Sequence, residues 1–168
     1  MAPRVIPVEI GDYLALADAD RVYAHSAGVE PIVDKASVHY YHRSGHSFAA
    51  RSRAVAGGAE TAGAGDIAET GEALVGFVLA HATWSGGRPV VRVERLVTTP
   101  ATAAVAKSLV EAVVKSAYDA GVYDIVAAVP HSDPLATAAL TGSAFVQSAV
   151  SVYVRVLGSR GAPIVQGG

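Results

Sequence analysis

Two apolar runs joined by a glycine-containing turn restrict the fold of this chain more than any other feature of its sequence. Ala73–Thr83 and Val90–Val97 are both β-like, and they flank the turn sequence Ser85-Gly86-Gly87-Arg88-Pro89. Strands separated by so short a turn pair as an antiparallel hairpin. The sheet of this protein is therefore predicted to contain these two strands as neighbours.

The segments after the hairpin carry two helix-start signals of the same kind. Thr99-Pro100 and Asp133-Pro134 each place an N-capping side chain before a proline at the first helical position, where a missing N–H costs nothing. Gly121 and Gly142 are placed to end the two helices. Apolar segments predict two further elements, a strand at Val122–Val129 and a last strand or strand pair at Ala144–Leu157.

The N-terminal half of the sequence predicts two helices between two strands. The predicted elements are a strand at Val5–Ile10, a helix capped by Gly11-Asp12, a helix that follows Pro31 and ends at Gly45, and a half-buried edge or outer strand at Ser47–Val55. The next segment, Ala56–Gly71, is rich in alanine and glycine and lacks periodicity, which predicts a mobile loop.

The order of these elements, βααβββαβαβ, favours a mixed, mostly antiparallel sheet flanked by helices, which is an α/β (α+β) fold. With 168 residues, of which 51% are hydrophobic and 17% charged, the chain can form one substantial core. We expect a single domain at residues 1–158, followed by a flexible tail at residues 159–168.

Charge and cysteine content argue against several classes of function. The formal net charge of -2 provides no basic field for a polyanion, so nucleic acid is not an expected partner. The absence of cysteine excludes disulfides, iron–sulfur clusters, thiolate zinc sites and a cysteine nucleophile. Met1–Glu9 lacks the apolar region of a signal peptide, and Ala73–Trp84 is too short for a membrane span, so we expect a cytoplasmic protein.

The segment Val90–Phe145 carries two motifs whose spacing is that of a known superfamily. Ala101, Ala104 and Ala106 occupy the three positions of a loop signature that normally has Arg or Gln, Gly, and then Gly or Ala. Further on stand Asp133, Ala136, Leu140 and Ala144-Phe145, where the superfamily has Asn, Ala, Tyr and Gly-Phe. The chain thus resembles the GNAT superfamily of N-acetyltransferases, as a divergent member that keeps the spacing and loses most of the polar groups.

The resemblance implies a donor, acetyl-CoA, whose diphosphate binds at the front of the helix after the fourth strand, where unpaired N–H groups attract anions. It also implies a bulge in the fourth strand and a gap between the strands Val90–Val97 and Val122–Val129 for the pantetheine arm. The implied acetyl-CoA-binding residues are Leu96, Val97, Thr98, Thr99, Ala101, Thr102, Ala103, Ala104, Val105, Ala106, Ser132 and Asp133.

The resemblance also implies roles in catalysis. Glu94 stands where many members carry a glutamate that takes a proton from the substrate ammonium; the alternative is a strand glutamate paired with Arg92 or with an arginine on a neighbouring strand. Leu140 replaces the tyrosine that reprotonates the departing thiolate, so His131 or Ser132 is the candidate to do this instead. The candidate substrate-binding residues are Tyr40, Tyr41 and Arg43.

The predicted function is therefore transfer of an acetyl or other acyl group from acyl-CoA to an unknown amine, by a monomer or a homodimer. The alternative is a non-catalytic domain of the same fold that binds a ligand or a protein partner.

A group of histidines invites a different interpretation. His39, His42 and His46 lie at three- and four-residue intervals, and histidines so spaced on a helix can share a metal ion. No carboxylate joins them in a recognised pattern, and Gly45 ends the helix before His46. We therefore interpret the three histidines as structural or solvent-exposed and predict no metal site.

Three short motifs match functional patterns only superficially. Gly63-Ala64-Gly65-Asp66-Ile67-Ala68 has the glycines of a dinucleotide-binding loop but no strand before it and no convincing helix after it. Gly45-His46-Ser47-Phe48-Ala49 runs from helix to strand, the reverse of a nucleophile elbow. His131-Ser132-Asp133 cannot form a triad, because consecutive side chains do not converge, and Asp133 is expected to be an N-cap.

Overall fold

The computed structural model describes residues 3–53, 72–100 and 102–149. In chain order the elements are β1 (Arg4–Pro7), a short 3-10 helix (Ile10–Asp12), α1 (Tyr13–Ala27), α2 (Lys35–Ser44), β2 (Phe48–Arg53), β3 (Glu72–Ser85), β4 (Arg88–Thr98), α3 (Ala103–Asp119), β5 (Ile125–Ala127) and α4 (Pro134–Gly142). Residues 54–71 and 150–168 lie outside the described residues, and with them the predicted loop, the predicted tail and the end of the predicted last strand.

The five described strands form one sheet in the order β1-β2-β3-β4-β5. The first four strands are antiparallel to their neighbours, and β5 pairs with β4 in parallel. One face of the sheet packs against α3 and α4, and the other face packs against α1 and α2. This arrangement confirms the predicted mixed, mostly antiparallel sheet flanked by helices.

The strands β3 and β4 form the predicted hairpin. Ser85 pairs with Arg88, and the two residues between them, Gly86 and Gly87, have φ values of 58° and 88°. Two consecutive positive φ values match the twist of a two-residue hairpin, and glycine adopts them at no steric cost.

A bulge interrupts β4 at Glu94. Leu79 of β3 pairs with Arg95, whereas the next residue, Ala80, pairs with Val93, so Glu94 is the extra residue. Because a bulge bends its strand and increases the local twist, the two ends of β4 point in different directions. The bulge that the resemblance implied is therefore present, four residues before the end of the strand.

The helix after β4 begins later than predicted. The N–H of Thr99 donates to the carbonyl of Val75 at 2.9 Å, so Thr99 still belongs to the sheet ladder and does not cap a helix. The Thr99–Pro100 peptide is cis, and α3 starts at Ala103 with Thr102 at the N-cap position. The predicted cap and first-turn roles of Thr99 and Pro100 are therefore wrong, whereas Gly121, with φ 71°, follows the helix end as predicted.

The second helix also begins later than predicted, because residues predicted to form its first turn instead donate hydrogen bonds to a buried carboxylate. The N–H groups of Ile32 and Val33 donate to Asp20 at 2.6 and 2.9 Å. The helix starts after Asp34, whose side chain accepts from the N–H of Ser37 at 2.7 Å. Its predicted end is confirmed, since Gly45 adopts φ 72°.

Three predicted strands differ from the observed ones in extent. β1 ends at Pro7, because the 3-10 helix takes up Ile10. β5 covers only Ile125–Ala127 of the predicted Val122–Val129, since its partner β4 bends away at the bulge. Residues 144–149 contain no strand, and Ala144 has a left-handed φ of 65°, so the predicted strand start at that residue is wrong.

The strand β2 is not at the edge of the sheet, because it lies between β1 and β3. Its Arg51 is buried and forms an ion pair with buried Asp12. The Asp12 carboxylate also accepts from the N–H of Glu9 at 2.9 Å, and it makes no capping hydrogen bond to α1.

Bilayer spanning needs a long and strongly apolar helix, and none of the helices in the described ranges meets both conditions.

Candidate active site

Two clefts lie along the second half of β4. The first has a volume of about 290 Å³, and we call it the helix-front cleft because it lies before α3. Its lining comprises Val22, Tyr23, Ser26, Ala27, Leu96, Thr98, Thr99, Pro100, Ala106, Ser132, Asp133, Leu135 and Ala136. The second, the bulge cleft, has a volume of about 240 Å³ and is lined by Tyr23, Val29, Glu94, Arg95, Leu96, Ala128, Val129 and Pro130.

The bulge in β4 creates the second cleft. Parallel pairing between β4 and β5 runs from Val91–Ile125 to Val93–Ala127 and stops there. The next residue of β4 is the bulged Glu94, and the bulge cleft lies between it and the chain after β5. A gap between these two strands is what the resemblance implied for the pantetheine arm.

The front of α3 lies next to the helix-front cleft, which Ala106 of this helix lines. The first intrahelical bond runs from the N–H of Ala106 to the carbonyl of Thr102 at 3.1 Å, so the preceding N–H groups have no intrahelical acceptor. The Thr102 side chain makes no capping hydrogen bond, and its hydroxyl oxygen is buried without a hydrogen-bond partner among the described residues. An uncapped helix front with the positive end of the dipole attracts an anion.

Six of the predicted acetyl-CoA-binding residues line the helix-front cleft, namely Leu96, Thr98, Thr99, Ala106, Ser132 and Asp133. The side chains of Val97 and Val105 are buried in the core and line neither cleft, and their role in binding acetyl-CoA remains a prediction. Thr102, Ala103 and Ala104 form the start of α3 without side chains in the lining, and Ala101 lies outside the described residues.

Glu94 lies in the bulge cleft with its side chain 30% exposed. One of its carboxylate oxygens accepts from the Nε of Arg92 at 3.1 Å. The pairing with Arg92 that the sequence left open is therefore present, and Glu94 also lines the bulge cleft. Its role as a base remains a prediction.

Of the predicted substrate-binding residues on α2, Tyr41 lies close enough to Glu94 to feel its charge, whereas Arg43 lies apart from both clefts. Tyr41 is buried, and burial raises its pKa to about 12, with a further contribution from the negative charge of Glu94. Tyr40 and His81 make an edge-on ring contact at 5.3 Å between centroids. Arg43 is exposed at the end of α2 and lines neither cleft.

The two candidates for the missing proton donor differ in position. His131 is exposed and lines neither cleft. Ser132 lines the helix-front cleft, and its hydroxyl donates to the carbonyl of Ala27 at 3.0 Å. Leu140 is buried in the core, as its apolar side chain requires. The structure thus places Ser132, and not His131, beside the candidate site.

Tyr23 of α1 was not identified from the sequence, yet it lines both clefts. Its hydroxyl donates to Asp133 at 2.8 Å, and the guanidinium of Arg95 lies 5.4 Å from the centre of its ring. Burial raises the pKa of Tyr23 well above its ordinary value, and the hydrogen bond to Asp133 adds to this rise. The other oxygen of Asp133 accepts from the N–H of Ala136 at 2.8 Å, which confirms the predicted N-cap.

A buried ion pair holds Arg95, which is one of the lining residues of the bulge cleft. The Nε of Arg95 lies 2.9 Å from a carboxylate oxygen of Asp20, and both side chains are buried. Arg95 also donates to the carbonyl of Glu30 at 2.5 Å. The sequence does contain a signal for Asp20, because it lies between Leu16 and Ala24 at four-residue intervals on the buried face of α1.

The three histidines of the sequence pattern point to different partners. The Nδ1 atom of His42 lies 2.9 Å from the carbonyl of Val8, and that of His46 lies 3.0 Å from the hydroxyl of Ser116. His39 is exposed. Within residues 3–53, 72–100 and 102–149, no three potential ligands come together to hold a metal ion. The glycine motif at residues 63–68 lies outside these ranges.

Comparison with known proteins identifies relatives of this chain at two levels. The model of a family described as proteins of unknown function, DUF1999, matches residues 32–165. Among solved structures, wild-type TTHA1254 from Thermus thermophilus is 31% identical, with a TM-score of 0.66 over 94% of this chain and 99% of that one. No curated protein sequence matches the chain.

More distant structures share the fold. A ribosomal-protein-alanine N-acetyltransferase from Brucella melitensis biovar Abortus 2308 is 17% identical, with a TM-score of 0.62 over 94% of this chain and 100% of that one. A predicted acetyltransferase with acetyl-CoA from Clostridium acetobutylicum is 11% identical, with a TM-score of 0.61 over 91% of this chain and 94% of that one. These likenesses establish the GNAT fold, as the motif spacing predicted.

Proposed function

Since the chain belongs to the DUF1999 family and has the GNAT fold, we propose that it is an N-acyltransferase that transfers an acyl group from acyl-CoA to an amine. The observation that supports this most is the pair of clefts along β4, one before the uncapped front of α3 and one beside Glu94. The two clefts share Tyr23 and Leu96, so the cleft at the helix front and the cleft beside Glu94 adjoin each other.

The residues of the helix-front cleft fit the diphosphate of a coenzyme A derivative. Ala103 and Ala104, in the first turn of α3, are exposed, and small side chains let a phosphate approach the main-chain amides closely. The buried hydroxyl of Thr102, without a partner among the described residues, is an additional donor at the same helix front. No lysine or arginine belongs to the described lining, so main-chain N–H groups supply the attraction in this proposal.

The chemistry assigned to this chain is proton removal at Glu94. Acyl-CoA supplies an acyl group activated as a thioester, and the acceptor amine must lose its ammonium proton before its nitrogen can attack. Glu94 lines the bulge cleft, and its carboxylate takes this proton, directly or through water, in the proposed reaction. Arg92 holds the carboxylate in place through the 3.1 Å hydrogen bond.

We expect Glu94→Gln to lower kcat for acetylation of an amine by roughly 100-fold, because removal of a general base typically has an effect of this size or larger. The measurement is release of free thiol from acetyl-CoA in the presence of a panel of primary amines. Glu111→Gln is the control, since Glu111 is exposed on α3 and lines neither cleft. An unchanged rate in the Glu94 variant contradicts its role as base.

Thiol release in the presence of an amine also distinguishes the proposed acyltransferase from a non-catalytic domain of the same fold. Stabilisation of the protein by acetyl-CoA without thiol release from any amine would instead support the non-catalytic ligand-binding domain.

A further inference from the structure

The side chain of Tyr23 lies where the two clefts meet. The clefts have only Tyr23 and Leu96 in common among their described lining residues, and of these two only Tyr23 carries a transferable proton. If the diphosphate occupies the helix-front cleft and the amine lies beside Glu94, the bond between sulfur and acyl carbon has to lie between them. Tyr23 therefore lines the place where that bond breaks in the proposed reaction.

The residue that serves this purpose in the GNAT superfamily is replaced here. Leu140 stands at that position, and its side chain is buried in the core next to Ala136 and Ala139. His131 lines neither cleft, and Ser132 belongs to the helix-front cleft alone. Among these candidates and Tyr23, only Tyr23 carries a hydroxyl and lines both clefts.

We infer that Tyr23 donates its phenolic proton to the sulfur of the departing thiol, with Asp133 holding the phenol in position until the acyl donor arrives. This inference rests on the proposed acyltransferase function. Asp133 is suited to the holding role because one of its oxygens is fixed by the N–H of Ala136 at the start of α4. The other oxygen accepts from Tyr23 at 2.8 Å.

The proton and electron balance of the step is simple. The amine nitrogen forms a bond to the acyl carbon, and the carbon–sulfur bond breaks with its electron pair going to sulfur. Tyr23 gives its proton to that sulfur, and Glu94 takes the ammonium proton before the amine attacks. The second proton, which the nitrogen loses as it becomes an amide, goes to water, and exchange with water restores both side chains. The products are an amide and a free thiol.

The environment of Tyr23 keeps its phenol protonated. Burial and the neighbouring carboxylate of Asp133 raise the pKa of the phenol, so it stays neutral throughout the physiological range. A phenol has only one proton to donate. The hydrogen bond to Asp133 must therefore break when the phenol donates to sulfur, and loss of that bond removes one of the causes that raise the pKa of the phenol.

The test compares the binding of two coenzymes, CoA and acetyl-CoA, by isothermal titration calorimetry at about pH 7 and about pH 9.5. Only CoA has a thiol that can ionise, with an ordinary thiol pKa of about 8.5. A hydrogen bond from Tyr23 to the bound thiolate lowers the pKa of that thiol by about 1. The affinity for CoA is expressed as a ratio to the affinity for acetyl-CoA at each pH. Because of linkage, this ratio rises from about pH 7 to about pH 9.5, and with the hydrogen bond the rise is roughly five- to tenfold larger than without it.

We expect this additional rise in the wild-type protein and in Tyr118→Phe, and we expect it to be absent in Tyr23→Phe. Tyr118 is the control because it is 69% exposed on α3 and lines neither cleft. An equal pH response in the wild type and in Tyr23→Phe overturns the role of Tyr23 and leaves the proposed acyltransferase standing. Failure of both coenzymes to bind the wild type overturns the proposed function and this inference together.

A second variant covers the case in which Tyr23→Phe does not fold. Asp133→Asn keeps an oxygen to cap α4 but removes the charge that competes for the phenolic proton. We expect the relative affinity of this variant for CoA at about pH 9.5 to exceed that of the wild type. A value equal to or below that of the wild type contradicts the proposal.

Discussion

Asp20 is a carboxylate with three partners inside the protein. It lies beside the buried guanidinium of Arg95 and accepts from the N–H groups of Ile32 and Val33. One side chain thereby joins α1, the chain before α2 and the bulged part of β4. A fully buried charge of this kind is tolerated only because it is paired and hydrogen-bonded.

Removal of this carboxylate should be costly. We expect Asp20→Ala to lower the free energy of unfolding by about 3–5 kcal/mol, because Arg95 keeps a buried charge without its partner. Denaturant titration followed by circular dichroism measures the loss. Asp18→Ala is the matched control on the same helix, since Asp18 is exposed and pairs with exposed Arg21, a pair worth about 0–1 kcal/mol. Equal losses in the two variants contradict a buried, stabilising pair.

His46 should make stability depend on pH. Burial lowers its pKa below the ordinary value of 6.5, and neighbouring His81 lowers it further. The unfolded chain therefore takes up a proton at His46 before the folded protein does, so this contribution to stability is complete above about pH 6.5 and is lost as the pH falls towards the folded pKa.

The free energy of unfolding of the wild type should consequently fall between about pH 7 and about pH 5, and His46→Gln should show a smaller fall. His39→Gln serves as the comparison, because His39 is exposed on α2 and should behave as the wild type does. The measurement is denaturant unfolding at both pH values. If the fall in His46→Gln matches that in the wild type, His46 does not titrate as described.

At the scale of elements, Gly76 of β3 sets how closely α3 lies on the sheet. A Cβ atom at this position would lie 2.7 Å from the carbonyl oxygen of Val97, 3.0 Å from Val105 and 3.2 Å from Leu109. Since the first of these neighbours is backbone, it cannot move without shifting β4 just beyond its bulge. The absence of a side chain therefore keeps the front of α3 against the end of β4.

We expect Gly76→Ala to destabilise the protein by about 1–3 kcal/mol, the range typical of overpacking. Gly142→Ala is the control, because Gly142 is the last residue of α4 and has open space around its Cβ position. Thermal unfolding compares the two. A Gly76→Ala protein as stable as the control would mean that α3 can move away from the sheet without penalty.

The elements that the sequence predicted well are those determined by local chemistry. Gly86 and Gly87 fix a two-residue turn, Asp133 caps the helix that follows it, and Gly45 ends α2, because each of these depends on a few adjacent residues. The helix start predicted at Thr99-Pro100 is wrong, because the N–H of Thr99 instead forms a hydrogen bond with Val75, a residue of a neighbouring strand.

In the candidate site, too, the features set by nearby residues could be predicted from the sequence, whereas those set by distant residues could not. Glu94 could be located because the resemblance implies a glutamate on the fourth strand, and the sequence pattern predicts that strand. Tyr23 could not, because its partner Asp133 lies 110 residues further along the chain and nothing in the periodicity of α1 indicates that contact. Asp20 carried a usable signal, a charged residue on an apolar helix face, but its partner Arg95 depends on the bulge, which strand patterns do not reveal.

At the scale of the molecule, the clefts exist because elements from both faces of the sheet meet at one end of it. Helix α1 contacts the segment between β5 and α4 through two hydrogen bonds, from Tyr23 to Asp133 and from Ser132 to Ala27. These contacts form the outer wall of the helix-front cleft, whereas the end of β4 and the residues of α3 form its inner wall. The proposed function depends on this cleft being open to a coenzyme.

The most direct test of this account is the binding of acetyl-CoA, measured by isothermal titration calorimetry, in the wild type and in two tryptophan variants of α1. Ser26 lines the helix-front cleft, whereas the adjacent His25 is exposed and does not. We expect one molecule of acetyl-CoA to bind to the wild type and to His25→Trp, and Ser26→Trp to bind at least about tenfold more weakly, a loss of about 1.4 kcal/mol. Absence of binding to the wild type, or equal binding by all three proteins, would contradict a coenzyme site in this cleft.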